Sequence, residues 1–154
     1  MENNRLRNEI AKIVGLRLDM VHLAYEMMIF NFGDYSLHTQ CLTRIIKNND
    51  ILVTTFDYQS WDGEESENND EWYNLARFKA EIEGGKVLSA EVSPLNDIDI
   101  QMDNGVKLQI LISNSYAHYD SECEQYRFFN ASEEQIKQDK PRHIVVYNKH
   151  IVIE

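Results

Sequence analysis

Cysteine is scarce in this chain: only Cys41 and Cys123 are present. Two thiols do not build the disulfide framework of small secreted domains, and spacing alone does not say whether these two pair. No window approaches the roughly 18 apolar residues of a membrane span. The opening "MENNRLRNEIAKIVG" has no apolar run of signal-peptide type. Both absences point to a cytoplasmic protein. The six glycines are scattered, which leaves no Gly-rich phosphate loop and no Pro-, Gly- or Ser-rich linker. There is no G-x-S-x-G elbow and no paired C-x-x-C or H-x-x-x-H unit of the kind that binds zinc. Basic residues are also short, with 15 Lys and Arg against 26 Asp and Glu and a net charge of −11. Phosphate backbones and anionic membrane surfaces repel such a chain. The same excess steers it toward a basic partner.

What is present suits one domain over residues 1–154. With 43% hydrophobic residues, the chain has apolar material for one continuous core. Leu6, Ile10 and Ile13 recur at helical spacing and Gly15 ends that segment. From Leu16 the pattern alternates, and Leu16, Leu18 and Met20 predict a strand. "YEMMIFNFGD" predicts a second strand and "YSLHTQCLTRII" a third, after which "NND" turns the chain into "ILVTTFDY". Trp72, Leu75, Phe78 and Ile82 predict an amphipathic helix from Asp70 to Glu83, capped by Asn69 or Asp70 and by Gly84. "KVLSAEVS" returns to strand. "DIDIQMDNGVKLQILIS" is a hairpin, with Asn104-Gly105 suited to a tight two-residue turn that needs positive φ at both central positions. "SECEQYRFFN" is another strand. Ser132 and Gln135 form a capping box, and "RHIVVYNKHIVIE" closes the chain as strand, turn and strand. The expected class is α+β with β dominant: a mainly antiparallel curled sheet or open barrel of about eight or nine strands, with one long helix packed on one face.

"YSLHTQCLTRI" places His38 three residues before Cys41 and Arg44 three after it. On a strand, side chains three apart point to opposite faces, so His38 and Cys41 cannot share a metal or act as base and nucleophile without a bulge. Cys41 falls with Leu37 and Ile45 and reads as core. His38, Gln40 and Arg44 form the polar row. Such a row is either the solvent face of a strand or a surface that recognises a carboxylate or phosphate through Arg44. "HYDSEC", from His118 to Cys123 with Asp120 and Glu122, has no spacing that suits zinc, so no metal ligand or cofactor is assigned. "EQYRFFN" brings Tyr126, Arg127, Phe128 and Phe129, which suit either an interface or an aromatic core.

Residues 57–71 differ from the rest. Asp62, Glu64, Glu65, Glu67, Asp70 and Glu71 crowd together with Gly63 and two asparagines. Like charges repel and little there can be buried, which predicts an exposed acidic loop.

"GLRL", "YEMMIFNFG" and "YSLHTQCLTRI" resemble a pattern in small bacterial proteins of unknown function. In that family a strand ending in Phe-Gly leads into one reading Leu-His-x-Gln-Cys-x-x-Arg-Ile. "DIDIQMDNGVKLQILI" and "EQYRFF...RHIVV" are similar to its final hairpin and its Trp-Arg-Leu-Phe-like strand. Tyr126 stands where tryptophan is typical, and Leu42 where proline is common. The acidic loop and the helix fall in its variable middle. The family brings no established activity, so no residue inherits a catalytic role. In its small size and acidity the chain is similar to immunity proteins of bacterial toxin systems. Two readings follow. The first is a non-enzymatic protein-binding module whose Asp62–Glu71 surface masks a basic protein. The second is a ligand-binding or enzymatic β domain using the face of His38, Gln40 and Arg44.

Overall fold

The computed structural model describes residues 1–25, 27–57, 71–113, 123–132, 143–148 and 150–154. Among these described residues eleven strands form two antiparallel sheets rather than one curled sheet or barrel. In chain order they are β1 (Met20–Ala24), β2 (Met27–Phe32), β3 (Tyr35–Thr39), β4 (Leu42–Lys47), β5 (Asp50–Thr54), β6 (Val87–Val92), β7 (Ile98–Met102), β8 (Val106–Leu111), β9 (Glu124–Asn130), β10 (His143–Tyr147) and β11 (Ile151–Ile153). The six-stranded sheet runs β1-β2-β3-β9-β10-β11 and the five-stranded sheet runs β5-β4-β8-β7-β6. Two helices accompany them: α1 (Glu2–Ile10), extended by a 3-10 turn over Ala11–Ile13, and α2 (Glu71–Ile82). The expected long helix is therefore only 12 residues.

Alternation builds the core. In the six-stranded sheet, Val21, Phe30, Leu37, Phe128 and Ile144 lie in register across five strands. In the other sheet, Val53, Ile45, Leu108 and Ile100 do the same. All of these are buried in one cluster, to which α1 adds Leu6 and Ile10 and α2 adds Leu75 and Ile82. On α2 the expected stripe holds at those two positions and in the half-buried Phe78, but Trp72 is 53% exposed. The alternation at Leu16 and Leu18 precedes a strand rather than forming one. The segment bridges the stretch leading into β6: Val87 N–H donates to Leu16 O at 2.8 Å, and Leu18 exchanges hydrogen bonds with Gly84 and Gly85. This contact covers part of an otherwise open sheet edge.

The run from Tyr35 to Ile46, expected as one strand, divides at Gln40-Cys41 and crosses from one sheet to the other. The N–H groups of Gln40 and Cys41 both donate to the Gln125 carbonyl, at 2.8 and 3.0 Å. Thr43 Oγ1 donates to Thr39 Oγ1 across the bend at 2.8 Å, and both threonines are fully buried. The bend thus carries its own hydrogen-bond partners, as a buried change of direction must.

Two turns exchange roles relative to expectation. The two-residue hairpin with positive φ at both positions is Asn48 (52°) and Asn49 (65°), between β4 and β5. At Asn104-Gly105 only the glycine takes positive φ, at 81°. Lys107 pairs with Gln101, and the loop is Asp103-Asn104-Gly105. The reason lies in the side chains. Asn104 Nδ2 donates to the carbonyls of Glu81 and Ile82, each at 3.2 Å, at the C-terminal end of α2. Helix ends leave such carbonyls without intrahelical partners. Gly85 accommodates this approach, because a Cβ there would stand 2.6 Å from Asn104 Cγ. Asn104→Ala should lower stability by about 1 kcal/mol, read as a lower urea midpoint at unchanged m-value.

Candidate functional site

The Tyr35–Ile46 stretch keeps its parity through the bend. Leu37, Thr39, Cys41, Thr43 and Ile45 face inward and are buried, while His38, Gln40 and Arg44 face outward. The three polar residues nevertheless do not make one site. His38 lies on the six-stranded sheet, Gln40 is exposed at the bend, and Arg44 lies on the five-stranded sheet.

Arg44 is register partner to Gln109, which pairs with Asp99, which pairs with Glu91. Its guanidinium donates to Gln109 Oε1 from Nε at 3.0 Å and from a terminal nitrogen. A hollow beside this row is lined by Glu91, Asp97, Asp99 and Gln109. Carboxylates there favour a cationic visitor over an anion. Asp97 is already committed to the fold, since Oδ1 accepts the Ile112 N–H at 2.7 Å. Asp99 pairs with Lys107 at 3.0 Å.

His38 belongs to a different cluster. Across the outer face of the six-stranded sheet the register reads His22, Ile29, His38, Arg127, Val145. The adjacent row contains Ser36, Phe129 and His143. Phe129 takes His38 edge-on at 4.9 Å and lies against His143 at 4.7 Å between ring centres. Arg127 donates from Nε and Nη2 to the two carboxylate oxygens of Glu124, at 3.1 and 3.0 Å, and its Nη1 lies 3.1 Å from His143 Nδ1. Burial pushes the pKa of both His38 and His143 down; His22 and then Arg127 add to this at His38, and Arg127 at His143. Although outward-facing, this surface contains the buried Ile29 and Val145. Sequence reasoning reached His38 and named Arg127 within an aromatic strand, but did not join them to each other or to His143, because the β3-β9-β10 pairing that does so is long-range. The only available hint was polar residues at alternate positions in otherwise apolar strands.

Cys41 is buried and burial pushes its thiol up to about 12. Cys123 is exposed, and both thiols are free. Only thiolate reacts with an alkylating agent. Iodoacetamide at neutral pH should therefore add one label per native chain, at Cys123, and a second only in denaturant. Peptide mass spectrometry would read this, and native labelling of Cys41 would contradict it.

Of the acidic cluster, Asp62, Glu64, Glu65, Glu67 and Asp70 lie outside the described residues, and Glu71 begins α2. The described ends of the stretch meet. Asp57 Oδ2 accepts from Asn74 Nδ2 on α2 at 2.8 Å and from the Thr54 N–H at 3.2 Å. His118, Asp120 and Glu122, to which no metal is assigned, and Gln135 of the expected capping box also lie outside the described residues. Among the described residues no three His, Cys, Asp or Glu side chains gather as a metal site. No described helix is long and apolar enough to cross a membrane. No protein-family model, curated protein or solved structure matches the chain.

Proposed function

We propose that this chain is a non-enzymatic, cytoplasmic binding module of immunity-protein type, which covers a basic surface on a protein partner. The reading rests above all on charge. The chain carries −11 overall, and Asp62, Glu64, Glu65, Glu67, Asp70 and Glu71 fall within ten residues that contain no Lys or Arg. The Asp57–Asn74 hydrogen bond supports it, because the stretch departs from and returns to one place on the fold. Phe56 and Trp72, which flank the stretch, are 42% and 53% exposed. Exposed aromatics are among the anchors that interfaces favour. The hollow lined by Glu91 and Asp99 adds a second acidic surface. A nucleic acid or anionic membrane partner is disfavoured by the same charge.

The test is affinity capture of the tagged full chain from host lysate, at low and then high salt, with mass spectrometry of the eluate. The expected result is a stoichiometric basic protein that salt removes. Retention of acidic proteins alone, or of none, would count against the proposal.

A further inference from the structure

We propose that the outer face of the six-stranded sheet is a proton-sensitive latch, in which Arg127 holds β9 to β10 through a hydrogen bond to His143 that lasts only while that imidazole is neutral. Guanidinium has only N–H donors, so His143 Nδ1 must be the acceptor across the 3.1 Å contact. A proton on Nδ1 removes the acceptor and sets cation against cation. His143 faces Arg127 and the carboxylates of Glu154 and Glu124, which partly offset that repulsion. His38 faces His22, Arg127, Glu124 and His143 and makes ring contact with Phe129. His22, on the same row, has a buried Nδ1 with no hydrogen-bond partner among the described residues. Three histidines and one guanidinium thus share one partly buried face with two carboxylates. Acid adds charges of one sign to it.

The direction of the effect follows from linkage. His38 and His143 both lie below 6.5 in the folded state, so the unfolded chain binds protons first. Their contribution to stability is whole above 6.5 and is lost as the pH falls through that value toward the lower folded ones.

The experiment is an NMR titration of the imidazole protons of the full chain between pH 8 and 5, with thermal melts across the same range. Wild type, Arg127→Gln and His143→Gln are compared. His38 and His143 should titrate below 6.5, and the melting temperature should drop over the same interval. Arg127→Gln should move both midpoints upward. His143→Gln, which keeps a side-chain acceptor but cannot titrate, should flatten the drop. Wild-type midpoints at or above 6.5, or midpoints that Arg127→Gln leaves in place, would overturn the latch. If Arg127→Gln does not fold, the wild-type midpoints and the His143→Gln melts decide.

Discussion

Phe30→Ala is expected to lower the unfolding free energy by about 3–5 kcal/mol, the range for emptying a buried aromatic site. Phe30 is fully buried on the inner face of the six-stranded sheet, on β2, next to the edge strand β1. Val21 and Leu37 flank it in register on β1 and β3, and Phe128 follows on β9, itself stacked on Tyr35 at 5.6 Å. Both β1 and β3 are fixed by hydrogen bonding, so the space cannot close by moving a neighbour inward. Small domains are stable by only about 5–15 kcal/mol, so this one change takes a large share of the total. Equilibrium urea unfolding would read it as a lower midpoint with the m-value retained. A loss under about 1 kcal/mol would mean the site collapses freely, and the packing described for this sheet would be wrong.

The second large effect concerns binding. Changing Glu64, Glu65, Glu67 and Glu71 to Gln and Asp70 to Asn removes five charges, taking the net from −11 to −6. The association rate with the captured partner should fall by on the order of 10-fold or more at low salt, because long-range attraction steers encounter. Near 1 M salt the Debye length is only about 3 Å, and wild type and variant should converge. The fold should barely notice. The sequence predicts an exposed loop here, and exposed substitutions stay within about 0.5 kcal/mol, so equal melting temperatures would separate a lost interface from a lost fold.

The inner faces were legible in the sequence because burial writes a period of two directly into a strand. Leu37, Cys41 and Ile45, and likewise Val106, Leu108 and Ile110, announce the core without any knowledge of partners. The division of Tyr35–Ile46 between two sheets was not legible. Parity survives the bend, and the hydrogen bonds that make it come from Gln125, more than eighty residues away. The turns misled for a similar reason. Asn104-Gly105 has the chemistry of a two-residue hairpin, but the tertiary bond from Asn104 to the end of α2 claims the asparagine. His38 could be found as an outward polar residue, whereas its neighbours Arg127 and His143 meet it only through strand pairing. The acidic stretch was legible as composition, which speaks to charge and not to shape.

The most direct test of the masking account is the dissociation constant of the captured partner for wild type and for the five-fold neutralised variant, measured across a salt series. The account predicts a steep loss of wild-type affinity with salt, a weaker complex for the variant at low salt, and convergence of the two at high salt. Equal constants for both proteins, unmoved by salt, would contradict it.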